Sequence, residues 1–339
     1  MGARRVRVAL PWLQAALAEA SARGASPAME SLCWLAGRGR IVAGASSPWR
    51  EWLLASLGEP GVSALQRWPA GPCVAALSGL AGTPGAGSWC VAMPVHLAPG
   101  LDHLRLAPLA QAALDDQDAG ELGATVRSHF GGEAFSLLGF TAGAWLLRFN
   151  KVIACESQPP DAAVGHNVHD FMPSGPDGAR VRSLMNEIQM LVHEHPVNER
   201  RVRARKLPAN AWWLWGFGAT PQDAPVTDCA QWDWDLRTDD AWLRGLWHAQ
   251  GAVAGPDAAT VPEPLRRDTL IALSQPTAGP GEESLAAVDA GLLSRLCAQV
   301  RSGAIERLDL LAGDVAVQVD STARFRFWRR PAALADLLQ

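Results

Sequence analysis

The sequence predicts an α/β protein. Short apolar, strand-like runs alternate along the chain with segments of helical period, and several paired runs flank turn residues. The residues are 48% apolar and 19% charged, a balance that suits a sizeable packed core. At 339 residues the chain is long for one domain and comfortable for two. The polar, proline-bearing stretch 157–165 is the expected boundary between an N-terminal α/β half with hairpins (1–156) and a C-terminal α/β half (166–339).

In chain order, residues 5–10 read as an opening strand, and 11–23 as an Ala/Leu helix with Pro11 in its first turn. A second helix is expected at 49–57, capped by Ser46 or Ser47 and stopped by Gly58. Residues 69–88, rich in Gly, Pro and Ala, read as loop. Two strands at 88–97 and 103–106 are joined by Pro99-Gly100. A helix at 114–130 ends at Gly131-Gly132, and a hairpin of 135–140 with 144–149 turns at Ala142-Gly143.

The clearest helix follows Ser174, Pro176 and Asp177. Its apolar stripe is Val181, Leu184, Met185, Ile188, Leu191 and Val192, and Pro196 is expected to stop it. Residues 212–215 then form a short apolar strand. Further on, a helix near 239–250, a strand at 269–273, a long helix at 284–301 and a strand at 308–311 are expected. A hairpin of 313–320 with 323–328, turning at Ser321-Thr322, closes the chain.

Composition excludes several classes. Net charge is −4, so no global basic field draws the chain to nucleic acid or anionic lipid. No window approaches the length of an apolar membrane span. The six cysteines, Cys33, Cys73, Cys90, Cys155, Cys229 and Cys297, are scattered without a C-x-x-C pair. That pattern fits free thiols in a reducing, cytoplasmic setting better than a disulfide framework or zinc site. Tyrosine is absent while tryptophan occurs 15 times, so no mechanism can use a tyrosine.

One block carries chemical information. Arg182, Asn186, Gln189 and His193 line the polar side of the clearest helix. His195, Asn198, Arg201 and Asn210 follow within a basic stretch that also holds Arg200, Arg203, Arg205 and Lys206; Gly216-Phe217-Gly218 ends the next strand. A polar helix end, a cationic loop and a glycine turn can converge on an anion such as a phosphate. The anion-binding candidates are therefore Asn186, Gln189, His193, His195, Asn198, Arg201, Asn210, Gly216 and Gly218. The competing reading is that amide and imidazole groups satisfy backbone at a helix end, and that the glycines form only a turn.

Asn186-Glu187-Ile188-Gln189, His195-Pro196-Val197-Asn198, Leu207-Pro208-Ala209-Asn210 and Trp213-Leu214-Trp215-Gly216 together resemble the RpfE-type regulatory proteins. These are phosphoglycerate-mutase-like and similar to the cofactor-independent mutases of the alkaline phosphatase superfamily. Pro94-Val95-His96 with Gly100, Asp102 and Leu106 resembles the same family's middle section, as does the stretch 165–167. The resemblance implies a central mixed sheet flanked by helices, with added β-hairpins, and a regulatory role.

Catalysis in the related mutases and phosphatases implies two metal ions held by Asp and His, with an Asp soon after the first strand. Residues 1–101 contain no aspartate, and Pro11-Trp12-Leu13 follows the first strand. The expectation is thus a non-catalytic regulatory or scaffold protein without cofactor, its partner a protein or a small phosphorylated ligand. An enzyme acting on a small phosphorylated metabolite is the alternative. His166, His169 and Asp170 with His193 and His195 form a weaker metal arrangement, and Cys155 beside Glu156 has no assignable partner. A third reading is an accessory protein for single-stranded nucleic acid, with Arg200 to Lys206 tracking phosphates and Trp212, Trp213 and Trp215 stacking bases.

Overall fold

The computed structural model describes residues 4–42, 48–80, 87–100, 103–107, 109–132, 135–141, 143–219, 232–249, 251–255, 261–275, 282–326 and 328–334. Ser46, Ser47, Asp102, Ala142 and Cys229 lie outside these. The chain folds as two compact units. Unit 1 comprises Met1–Leu65, Thr227–Asp240 and Gly251–Gln339; unit 2 comprises Gln66–Val226 and Ala241–Gln250. The expected boundary at 157–165 therefore falls inside unit 2. The reason is topological: the strands that flank the N-terminal strand come from the last third of the chain.

Unit 1 is built on a six-stranded mixed sheet ordered β2-β12-β11-β1-β10-β9. Its strands are β1 (Arg4–Leu10), β2 (Arg40–Val42), β9 (Trp234–Thr238), β10 (Asp268–Ala272), β11 (Ile305–Ala312) and β12 (Val315–Asp320). β1 lies parallel to β10 and β11, β9 parallel to β10, and β12 and β2 complete an antiparallel edge. A central strand buried on both faces needs apolar residues without strict alternation. β1 meets this with Val6, Val8, Ala9 and Leu10, all buried. The helices are α1 (Leu13–Ala22), α2 (Glu30–Arg38), α3 (Trp49–Leu54), α11 (Glu282–Val288) and α12 (Ser294–Ser302). The last two are joined by a π-helical turn at Asp289–Leu293. Asp289 holds α2 by accepting from the amides of Ser31 (3.0 Å) and Leu32 (2.9 Å), two orphan donors of that helix's first turn. The expected closing hairpin is displaced. β11 pairs instead with β12 through Gly313 at φ 62°, and Asp320 caps a 3₁₀ turn at Ser321–Phe325 by accepting from the amide of Thr322.

Unit 2 is built on a four-stranded antiparallel sheet ordered β6-β7-β3-β8. Its strands are β3 (Trp89–Val95), β6 (Ser136–Thr141), β7 (Ala144–Arg148) and β8 (Ala211–Gly218). A short ribbon, β4 (Leu97–Pro99) with β5 (Leu104–Leu106), stands apart from the sheet. The hairpin β6–β7 lies where the sequence predicts it. The helices are α5 (Ala70–Leu77), α6 (Leu109–Ala112), α7 (Asp116–Phe130), α8 (Gly178–His193), α9 (Pro196–Arg203) and α10 (Ala241–Ala249); α4 (Glu59–Arg67) carries the chain from unit 1 into unit 2.

Two segments correct the sequence reading. Residues 70–77, expected as loop, form α5, whose first six residues are all buried. Small side chains suit a helix in close contact on several sides. Gly245 of α10 packs against the Cys73 backbone, and a Cβ at Gly216 (φ 68°) would lie 2.5 Å from the Ala70 Cβ. Pro196 does end α8, but it also starts α9, where proline's missing N–H is no loss. The basic stretch expected as loop is therefore largely helical.

Candidate functional site

α8 buries Val181, Met185, Ile188 and Val192, the stripe its period predicts, and rests on β8. Its polar side carries Asn186 and His193, both exposed, and Gln189, half-buried. Asn186 and Gln189 edge a cavity of about 20 Å³ beside Trp212, room for about one water molecule. Arg182 donates to the Pro173 carbonyl.

The residues beyond α8 are engaged with backbone. The His195 ring caps α9: Nδ1 accepts from the Val197 amide (3.2 Å), which leaves the proton on Nε2 to donate to Thr125 Oγ1 (2.9 Å). Burial lowers the pKa of this imidazole from its ordinary value, and Arg200 lowers it further against the opposing pull of Glu121. Asn198, only 3% exposed, donates Nδ2 to the carbonyls of Val192 (2.7 Å) and Ala209 (3.1 Å) and accepts from the Ala209 amide (2.8 Å). Arg201, also 3% exposed, donates Nε to the Leu207 carbonyl (2.9 Å) and lies 3.6 Å from Asp118. Asn210 exchanges both amide hydrogen bonds with the Leu97 backbone. Gly216 donates its amide to Ser157 Oγ, and Gly218 admits the Pro69 ring. The structure thus brings the 195–210 residues together as a lattice that ties α8, α9 and the entry to β8.

Part of the basic stretch is matched by carboxylates. Arg200 pairs with Asp118 (3.0 Å) and Glu121 (2.9 Å) on α7, and Arg203 with Glu199. Trp212 and Trp213 are fully buried, Trp215 is nearly so, and Trp212 stacks on Trp145 at 3.9 Å. These rings have no free face for a base, which overturns the reading of this block as a nucleic-acid platform. The histidine arrangement also disperses: His166, His169 and Asp170 are exposed, while His195 turns to Thr125. Among the described residues no three His, Cys, Asp or Glu side chains stand together as metal ligands. Cys155 is half-buried, its thiol pushed up to about 11 chiefly by burial. An open cavity of about 390 Å³ in unit 2 is bounded by α5, β6 and α10, with Arg244 as its charged group, and none of the candidate residues lines it.

A second constellation, missed in the sequence, lies in unit 1 at the carboxyl ends of the parallel strands, the edge where α/β sheets place their ligands. β1 ends there in Leu10-Pro11-Trp12, and the Trp12 indole donates to the Leu273 carbonyl (3.0 Å). β9 delivers Asp239 and Asp240. Asp239 accepts from the amides of Ser274 (2.7 Å) and Gln275 (3.2 Å) just beyond β10. Asp240 pairs with Arg50 of α3 at 2.8 Å, both side chains buried, and the Arg50 guanidinium lies 4.2 Å from the Trp49 ring centroid. From the sequence only a helix near 239–250 is expected here, and Arg50 is 190 residues from Asp240. Two divalent ions, as the resemblance implies, do not fit this donor set: among the described residues no third His, Cys, Asp or Glu joins Asp239 and Asp240 as a ligand, and Asp240 has a guanidinium partner.

Burial pushes the Asp239 carboxyl up to about 6, Asp240 adds to the shift, and the two amides oppose it. A carboxyl with a folded pKa above its unfolded one binds more protons when folded, so its contribution to stability falls as pH rises between the two values. Against an unfolded value of about 3.9, the difference in unfolding free energy between wild type and Asp239→Asn should fall by about 2 kcal/mol from pH 4 to pH 7. Urea unfolding of both proteins across that range measures it.

No protein-family model matches the chain. Among curated proteins, the 2,3-bisphosphoglycerate-independent phosphoglycerate mutase of Methanosarcina barkeri is 26% identical over 163 residues, 48% of this chain and 40% of its own length. A probable mutase of the same type from Geobacter sulfurreducens is 38% identical over 66 residues, 20% of this chain and 16% of the relative. That of Methanothrix thermoacetophila is 41% identical over 63 residues, 19% and 16% of the two chains. The matches thus span less than half the length of these curated relatives. Among solved structures, a cofactor-independent phosphoglycerate mutase from Thermoplasma acidophilum aligns with a TM-score of 0.38 at 16% identity, covering 93% of this chain and 89% of that one. A Pyrococcus horikoshii protein gives 0.44 at 15% identity, covering 98% and 92%. The sequence similarity is to phosphoglycerate mutases of the cofactor-independent type, and nothing among these relatives supports an RpfE-type kinship.

Proposed function

We propose that the chain is a non-catalytic regulatory or scaffold protein on a phosphoglycerate-mutase-like fold, acting by binding and not by turnover. The supporting observation is the engagement of the carboxyl edge of the six-stranded sheet: Asp239 holds the Ser274 and Gln275 amides, and Asp240 holds Arg50. Each carboxylate is thereby aimed at protein groups, and among the described residues no third His, Cys, Asp or Glu joins them as a metal ligand. The RpfE-type regulatory kinship suggested by residues 186–218, and a cytoplasmic setting, belong to this proposal. No helix among the described residues is long and apolar enough to cross a membrane.

The second reading, an enzyme acting on a small phosphorylated metabolite, is favoured by the mutase names of the curated relatives. It requires Asp239 and Asp240 to ligate metal beside or in place of their protein partners. Titration of Mn²⁺ into the purified chain by calorimetry separates the two. The proposal expects no stoichiometric uptake at micromolar concentration. Tight uptake of two ions, lost in Asp239→Asn, would replace it with the enzyme reading.

A further inference from the structure

A basic, aromatic surface lies in unit 1 at the β2–β12 edge of its sheet. The C-terminal segment after β12 contains no acidic residue from Ser321 to Leu334, and neither does the stretch from Ser31 to Val42 through α2 and β2. Hydrogen bonds lay the one along the other. Arg326 donates to the Arg38 carbonyl (2.8 Å), Arg38 to the Arg329 carbonyl (3.2 Å), Arg329 to the Gly39 carbonyl (3.2 Å), and the Ala332 amide to the Cys33 carbonyl (3.0 Å).

These bonds fix the guanidinium groups without neutralising them, because a carbonyl accepts a proton donor but carries no formal charge. Arg40 donates to Gln318, another neutral partner. Arg38 and Arg301 flank the Trp34 ring at 5.5 and 4.5 Å from its centroid, and Arg324 lies 4.6 Å from that of Phe325. Among the described contacts of these arginines and the exposed Arg330, the one carboxylate is Asp320, paired with Arg326. The cluster therefore keeps a strong local positive charge on a chain whose net charge is −4.

Two aromatic rings stand out of this charged surface. Phe325 is 59% exposed and Trp328 is 68% exposed; they are the two aromatics among the exposed large apolar side chains of the described residues. Exposed rings set among cations can stack nucleobases while the cations track phosphates. A bilayer surface would need a broader aliphatic face to insert, and here Ile41 is the exposed aliphatic neighbour. An acidic protein would use the charges but has no need of two exposed rings.

We propose that this surface binds single-stranded nucleic acid, with Phe325 and Trp328 as stacking platforms and the surrounding arginines as phosphate contacts. The proposal stands independently of the non-catalytic reading of the carboxyl edge. It also assigns the partner class to a surface other than the 200–215 block, whose tryptophans are buried.

Fluorescence anisotropy of the full chain with a labelled 15-nucleotide oligothymidylate tests it. With about four phosphates engaged, the slope of log affinity against log salt should be about −2.8, so affinity falls about 50-fold from 50 to 200 mM NaCl. The double variant Phe325→Ala, Trp328→Ala should weaken binding at least about tenfold at an unchanged salt slope, as loss of base stacking requires. Arg324→Gln with Arg330→Gln should make the slope shallower by about 1.4. Circular dichroism melts confirm that each variant folds; if a double variant does not, Trp328→Ala alone, at an exposed site, carries the test. Three results would overturn the proposal: no binding at 50 mM NaCl, binding indifferent to both rings, or a preference for phosphatidylserine vesicles or polyglutamate over the oligonucleotide.

Discussion

Arg50→Ala should destabilise unit 1 by about 3–5 kcal/mol, because it leaves the Asp240 carboxylate buried without its counter-ion. The pair is closed from solvent on both sides, with Arg50 6% and Asp240 7% exposed. Charges removed from water depend on their partners, so removal of one exposes much of the desolvation cost of the other. Arg50→Lys should recover only part of the loss, since an ammonium cannot reproduce the planar donor set that also lies on Trp49. Asp240→Leu combined with Arg50→Met should recover most of it, because a buried ion pair replaced by apolar groups of similar volume is often neutral. Urea unfolding at pH 7 reads all three. Near wild-type stability for Arg50→Ala would mean that the pair is solvated, and that Asp240 is free for other work.

Asn198→Ala should cost about 3–5 kcal/mol and leave any ligand affinity unmoved. The side chain makes three hydrogen bonds to backbone at a buried position. Its loss strands two carbonyls and one amide, each worth about 1–3 kcal/mol when left unsatisfied, with incomplete additivity because they share one site. The alternative assignment, an anion ligand, makes the opposite pair of expectations: modest loss of stability and a large loss of affinity. Chemical unfolding beside a thermal-shift titration with 3-phosphoglycerate therefore distinguishes a fold-specifying asparagine from a binding one.

These two residues show what was legible in the sequence. Local signals located α7, ended by Gly131 in the left-handed conformation, the β6–β7 hairpin, and the apolar stripe of α8. Each depends on periodicity or turn chemistry within a few residues. α5 was not legible, because a helix of Ala, Gly, Pro and Cys has no polar face to set a period; its small residues answer to Gly245 and Gly216, which are distant in sequence. α9 was obscured by its arginines, which look like a solvated loop until α7 supplies Asp118 and Glu121. The division into units was hidden for the same reason, since β1 takes its neighbours from β10 and β11.

The 186–218 block was legible as a marker but not as a site. Its histidine, asparagines and buried arginine are types that bind anions and types that satisfy backbone, and only the partners decide between these. In the structure the partners are backbone atoms of Val192, Val197, Leu207, Ala209 and Leu97, with Thr125 Oγ1 and the Asp118 carboxylate as side-chain partners of His195 and Arg201. The carboxyl-edge pair was illegible because its two members lie 190 residues apart and no local pattern joins them.

The most direct test is steady-state conversion of 3-phosphoglycerate to 2-phosphoglycerate by the purified chain with added Mn²⁺, followed through enolase. With Asp239 and Asp240 engaged as described, the rate should equal the protein-free background, and Asp239→Asn should leave it there. Turnover above background that Asp239→Asn or Asp240→Asn abolishes would show those carboxylates working in catalysis and would contradict the account.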